Sequence, residues 1–279
     1  MAPTWNEKLD FTAVPYGGFT PVINEYAKPI ADWITLGSVV TKINYTDNVV
    51  EVTTNNGPGM NSIYRTRTVI CTVPIGVLQH RDIQFVPDLP EKKWNAIDNI
   101  GNGSVNKCIM YWDSSKKDIS WWPKGELELQ LITSDDMGSN AWTYFLNDQS
   151  HTINNDHYVL TAWSAGHIVE ELEAENDDQT LARVLVNLRT MFGEEVPTPT
   201  KILITRWLSD PYSRGVHTFR ETGVNDDHAK KELKRSLDDT LFFAGEATDW
   251  GSNTVTAYTS GITVANDVGR RLKKKNGTY

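Results

Sequence analysis

The run Leu241-Phe-Phe-Ala-Gly-Glu-Ala247, followed after Gly251-Ser252 by a helix-compatible stretch over residues 253–272, constrains this chain more than any other feature. It reads as an apolar strand that breaks at a glycine, presents an acidic side chain and hands over to a helix. The free N–H groups and dipole of a helix start attract an oxygen-rich ligand, so the arrangement suits a dinucleotide. It predicts an α/β protein of mixed type with a Rossmann-like element at this point. The pattern suits many α/β proteins, so the segments upstream decide what it means.

Three such segments follow one another. Residues 36–45 read as a strand, and residues 67–73 as a second that ends in the turn Pro74-Ile-Gly-Val-Leu78. Val105-Asn-Lys-Cys-Ile-Met-Tyr111 is an apolar strand with one lysine set into it. An ammonium is costly to desolvate, so Lys107 either snorkels to water or has a buried task. Residues 206–217, Arg-Trp-Leu-Ser-Asp-Pro-Tyr-Ser-Arg-Gly-Val-His, place an Asp-Pro turn after a tryptophan.

In this order the segments resemble the flavin-dependent amine oxidases, the group of the polyamine oxidases, monoamine oxidases and histone lysine demethylases. Phe243-Ala-Gly-Glu246 with Thr254-Val-Thr-Ala-Tyr-Thr-Ser-Gly261 is similar to the closing FAD motif of that family. The resemblance implies that Val40 lies near the adenine and that Thr72 and Pro74 lie beside the flavin. It implies that Gly245, Glu246 and the N–H groups near Thr254 and Val255 hold FAD, with Trp207 also against the cofactor. The catalytic set it implies is Lys107, holding a water at flavin N5, Trp207 and Tyr258, walling flavin and substrate, and His217. Val216 stands where some members carry a cysteine bonded to FAD, so the cofactor is expected to be non-covalent. His217 replaces an aromatic residue of the family's substrate cage, which leaves the choice of amine or polyamine substrate open.

Family members open with a βαβ unit whose G-x-G-x-x-G loop cradles the pyrophosphate. No such pattern occurs in this sequence, and Gly17-Gly18 and Gly101-Asn-Gly103 lack its spacing and its preceding strand. Pro15-Tyr-Gly-Gly-Phe19 resembles a segment well inside family members, so the resemblance covers the later part of an oxidase. Three readings stay open: a fragment of a longer product, one half of a split oxidase, or a non-catalytic oxidase-like structural subunit. Each expects a protein partner or segment over the region that the phosphate loop would occupy, and a flavin-free chain when isolated.

With 279 residues, 39% of them hydrophobic, the chain can bury a substantial core. The expected organisation is discontinuous. Residues 1–80 and 240–279 form what remains of a Rossmann-like FAD-binding domain, and residues 81–239 form a substrate domain of mixed sheet and helices. Periodicity predicts a helix over 18–32 that Pro29 ends or kinks, and a helix over 90–100. It predicts strands at 35–44, 49–54, 105–112, 127–134, 141–146, 158–164 and 201–207, and a helix over 177–192. The acidic run over 170–178 is expected to be a solvated helix end and interhelical turn. A net charge of −9 argues against a nucleic-acid surface. No run approaches the ~18 apolar residues of a membrane span. Cys71 and Cys108 are expected to be buried thiols, and no spacing of cysteines and histidines suggests a metal.

Overall fold

A computed structural model describes residues 20–47, 49–113, 115, 118–123, 126–132, 141–147, 157–251 and 253–275. Residues 1–38 and 39–279 are separate compact units. In the first, α1 (Thr20–Ala27) passes into a 3-10 helix, Lys28–Trp33, with a proline in its first turn. Pro29 has no N–H to donate and its ring crowds the preceding turn, so the α-helix stops before it. The predicted helix start at residues 18 and 19, and the Pro15 to Phe19 motif, lie outside the described residues.

The second unit opens with β1 (Val39–Asn44), β2 (Val50–Asn55), β3 (Asn61–Thr66) and β4 (Val69–Cys71). Next come α2 (Ile75–Gln79), β5 (Gln84–Val86), α3 (Glu91–Asn99) and β6 (Gly101–Asn102). The middle of the chain forms β7 (Val105–Asp113), β8 (Glu128–Gln130), β9 (Tyr144–Asn147) and β10 (His157–Ala165). The helices α4 (Ile168–Glu173) and α5 (Asp177–Phe192) lead to β11 (Lys201–Ile204) and β12 (Thr218–Phe219). The last elements are α6 (Asp226–Lys234), β13 (Leu241–Phe243) and α7 (Thr254–Lys275). The class is mixed α/β, as predicted.

β7 alternates strictly between half-buried and buried positions. Successive strand side chains point to opposite faces, so Asn106, Cys108, Met110 and Trp112 share the inner one. Cys108, Met110 and Trp112 meet Val184, Leu185 and Leu188 of α5 in one cluster. The sheet of this cluster has the order β11-β7-β10-β9-β8. A second cluster joins Ile43, Val50, Cys71 and Ile97 to Leu233, Leu241 and Phe243, residues far apart in the chain.

β13 runs parallel to β4, pairing Leu241 with Val69, Phe242 with Ile70 and Phe243 with Cys71. The grouping of residues 1–80 with 240–279 expects the strands near Val40 and Thr72 beside the Phe243 strand, and for Val40 this is corrected. β1 lies in a separate four-stranded sheet of order β3-β2-β1-β5. Its two edges are taken by the β2 hairpin and by parallel β5, leaving none for β13. Packing joins them instead, since Val40 packs against the cluster that holds Cys71 and Phe243.

Several elements escape the sequence pattern, the short α2, β5, β6 and β12 among them. β3 is almost wholly exposed, so it shows no apolar alternation. α4 ends within the acidic run and turns into α5, as expected there, with only Val169 and Leu172 buried. α6 buries Asp226, Ala229, Lys230 and Leu233, a face with two charged residues that no hydrophobic period marks. The predicted strand at 201–207 ends at Ile204, because Trp207 and its neighbours enter a turn. Of the predicted strand at 127–134, residues 128–130 are strand and residues 133–134 lie outside the described residues.

Candidate functional site

The chain leaves β4 and β13 on the same side, through Thr72-Val73-Pro74 and Ala244-Gly245-Glu246. Ligands of parallel sheets bind outside the carboxyl ends of the strands. A cavity of about 360 Å³ lies here, and Thr72, Pro74, Gly245, Glu246, Ala257 and Gly261 are among its lining residues. Phe243, Ile75 and Leu78 add apolar wall. The turn between strand and acidic residue needs its glycine: Gly245 has φ +122°, where an L side chain is strained. Its N–H donates to Ser260 Oγ of α7 at 2.8 Å, which ties the turn to the helix. Asn253 Oδ1 accepts from the Thr256 N–H at 2.9 Å, capping that helix start.

Glu246 does not hang free at the cavity edge. Its Oε1 accepts from the Thr218 N–H at 3.0 Å and from the Thr218 hydroxyl at 2.5 Å. Behind Thr218 the buried Lys230 ammonium donates to that hydroxyl at 2.9 Å and to the Asp249 carbonyl at 3.0 Å.

The Asp-Pro segment forms another wall through Ser213 and Val216. Asp210 accepts from the Tyr212 N–H at 2.9 Å, and Arg214 pairs with Asp82 at 3.0 Å. A Cβ added at Gly76 would stand 2.2 Å from the Arg214 carbonyl oxygen, so only glycine lets α2 approach this segment. The acidic run, expected to be solvated, holds the segment from behind. Glu173 accepts from Asn106 Nδ2 and the Leu208 N–H at 2.9 Å each, and from the Ser209 N–H at 2.6 Å. Arg206 donates to the Glu175 carbonyl and to Asp177 at 2.8 Å each, and Glu175 also pairs with Arg183.

The structure thus brings Thr72, Pro74, Val216, Gly245 and Glu246 together, while Val40, Lys107, Trp207, His217, Thr254, Val255 and Tyr258 are not among the residues lining this cavity. Val40 lies in β1. Lys107 is half-buried, and its ammonium stacks 4.1 Å from the Trp163 ring. Trp207 is 42% exposed, and its N–H reaches Asn106 Oδ1, which also accepts from Thr205, whose hydroxyl takes the Lys107 N–H. His217 is exposed and its carbonyl accepts from the Gly103 N–H at 2.9 Å. Thr254, Val255 and Tyr258 are exposed at the start of α7. Sequence reasoning missed Thr218, Lys230 and Glu173. The one trace of them is the Asp226/Lys230 spacing, which puts both side chains on one helix face.

Cys71 borders the cavity, and burial pushes its thiol up to about 11. Cys108 is pushed up to about 12, by burial first and then by Asp177. Among the described residues no group of three or more histidine, cysteine, aspartate or glutamate side chains could hold a metal. Among them no helix is long and apolar enough to cross a membrane.

Residues 6–269 match the family model for flavin containing amine oxidoreductases. Over 259 residues the chain is 34% identical to lysine-specific histone demethylase 2 of Homo sapiens, covering 90% of this chain and 29% of that protein. Over 262 residues it is 33% identical to polyamine oxidase 2 of Arabidopsis thaliana, covering 93% of this chain and 49% of that one. A solved putrescine oxidase triple mutant, redesigned in cofactor binding, superposes with a TM-score of 0.70 at 16% identity, over 91% of this chain and 53% of its own. The chain spans about half the length of the polyamine oxidase and under a third of the demethylase.

Proposed function

Since the chain belongs to the flavin containing amine oxidoreductases, we propose that it serves a polyamine-type amine oxidase and that its cavity receives part of a non-covalent FAD. The observation that carries this is the meeting of Thr72, Pro74, Gly245 and Glu246 at the carboxyl ends of β4 and β13. The donor set fits. An acceptor-only carboxylate suits sugar hydroxyls and repels phosphate, and the walls of Phe243, Ile75 and Leu78 suit a flat ring. When bound, FAD supplies a hydride acceptor for the carbon next to a neutral amine and passes the electrons to oxygen, yielding peroxide and an imine that water hydrolyses. Glu246 orients the cofactor, Lys107 holds a water, and Trp207, Tyr258 and His217 wall the amine and set its selectivity. The chain is divided into the FAD-binding part, residues 1–80 and 240–279, and the substrate part, residues 81–239. Two separate buried clusters suit a two-part organisation, and the cluster of Phe243 reaches past these boundaries, since Phe85, Ile97 and Leu233 within 81–239 pack in it.

A second reading, a non-catalytic oxidase-like subunit, is favoured by a stripe on α7. Val255, Tyr258 and Ile262 are 69%, 52% and 46% exposed on one helix face, apolar surface for a protein partner to cover. Each backbone donor missing from a pyrophosphate costs about 1.5–3 kcal/mol. The isolated chain is therefore expected to purify without flavin and to oxidise no amine. A visible absorbance spectrum and a peroxide assay with a polyamine check this. Stoichiometric flavin or peroxide release makes the chain a working oxidase by itself. A flavin-free chain that also stays flavin-free with any partner covering α7 favours the subunit.

A further inference from the structure

Glu246 reaches the cavity from a 3-10 turn, and a three-residue turn is a weak support for a carboxylate that must keep one orientation. Both bonds to its Oε1 come from Thr218. A hydroxyl donates one proton, and which acceptor receives it depends on what else approaches the oxygen. Here the Lys230 ammonium approaches at 2.9 Å. An ammonium has no acceptor, so the threonine oxygen can only accept from it, and the hydroxyl proton is left for Glu246. Carboxylate and ammonium stand one oxygen atom apart.

Lys230 is itself held on several sides. It is 4% exposed, donates to the Asp249 carbonyl, and lies 5.0 Å from the Trp250 ring, which Arg220 also covers at 4.1 Å. Lys234 reaches the Asp249 carboxylate at 3.4 Å. One turn before Lys230 on the same face stands Asp226, 5% exposed, with neither carboxylate oxygen hydrogen-bonded among the described residues. Burying an ammonium 4% exposed is costly unless it has a task, and among the described residues the one polar side chain within hydrogen-bond distance of it is the one that holds Glu246.

We propose that Lys230 is a positioning residue for Glu246, acting through the Thr218 hydroxyl, so that the cavity carboxylate is oriented from α6. The proposal deepens the reading of this cavity as a cofactor site and rests on it for its purpose, but its test does not need the cofactor. The mobility of the Glu246 side chain is read by carbon NMR relaxation in the full isotope-labelled chain, with Glu246→Gln identifying the resonance. Lys230→Met and Thr218→Val are each expected to lower its order parameter by about half, since each breaks the relay that fixes the carboxylate. In the Thr218→Val background, Lys230→Met is expected to add less than half of its effect on the native background, because the relay is already cut. An unchanged Glu246 order parameter in Lys230→Met, or an undiminished further loss in the double variant, overturns the proposal. Should Lys230→Met fail to fold, Thr218→Val decides alone: a loosened Glu246 supports the relay and an unchanged one ends it. FAD titration of the native chain, read by flavin fluorescence, is a separate arm. Failure there removes the cofactor reading and leaves the outcome of the relaxation measurement standing.

Discussion

Lys93 shows how much one residue can settle. It is fully buried in α3, and its ammonium donates to the carbonyls of Glu232, Leu233 and Arg235, 3.0 Å from the second, at the end of α6. The Glu232 carbonyl also accepts from the Arg235 N–H at 3.2 Å, but carbonyls at a helix end run short of backbone donors, so a side chain from another helix closes it. Burial pulls the Lys93 pKa from 10.5 down to about 8, Arg235 acts in the same direction, and Glu232 opposes. A folded pKa below the unfolded one means that, between about pH 8 and 10.5, the unfolded chain keeps a proton that the folded one has released. Stability from this group therefore rises with pH across that window. In Lys93→Met this rise is expected to vanish. At pH 7 the variant leaves the Leu233 and Arg235 carbonyls without this donor at about 1–3 kcal/mol each, partly offset by the relieved ammonium, for a net loss of about 2 kcal/mol. Urea unfolding at several pH values checks both. A steeper pH dependence in Lys93→Met than in the native chain would refute the assignment. Nothing in the sequence marks Lys93, because Glu-Lys-Lys-Trp reads as an ordinary exposed helix start until α6 is packed on it.

At the scale of elements, α5 was legible because its local signals agree: apolar spacing along 177–192, and an Asn176 cap with Gln179 closing a reciprocal box. Asn176→Ala is expected to lower stability by about 1 kcal/mol, measured as a shift in urea midpoint with an unchanged slope. The strand, glycine turn and helix over 241–275 were legible for the same reason. α6 was not, since its buried face carries Asp226 and Lys230, whose partners come from elements that no local window contains. β1 was found as a strand, but its sheet was misjudged, because which edge a strand offers depends on β5 and not on its own residues. The site divides likewise. Thr72, Pro74, Gly245 and Glu246 lie in tight turns whose sequence fixes their shape, whereas Thr218 and Lys230 matter only through contact. The close approach of α2 to the Asp-Pro segment belongs here too. Gly76→Ala puts a methyl 2.2 Å from the Arg214 carbonyl and is expected to cost about 2–3 kcal/mol. A melting temperature equal to that of the native chain would show that the segment yields freely.

For the whole molecule the defining contact is the parallel pairing of β4 with β13, which joins residues 69–71 to residues 241–243. The floor of the cavity is therefore assembled from chain ends of a long loop. Closing such loops costs entropy before any contact repays it, so folding is expected to be slow for the chain's size. A chain stopped after Thr240 lacks Leu241 and Phe243, which sit at 0% and 2% exposure in the cluster of Val50 and Ile97. Hydrogen exchange on that shortened chain is expected to show protection kept in β7 and β10 and lost in β1 and β2; protection kept in both would contradict the shared cluster. A ribosome adds about 5–20 residues per second, so β4 leaves it on the order of ten seconds before β13 can follow. For that interval its apolar strand edge is open to any passing chain, and the yield of this protein in a cell depends on what shields Val69-Ile-Cys71 while synthesis catches up.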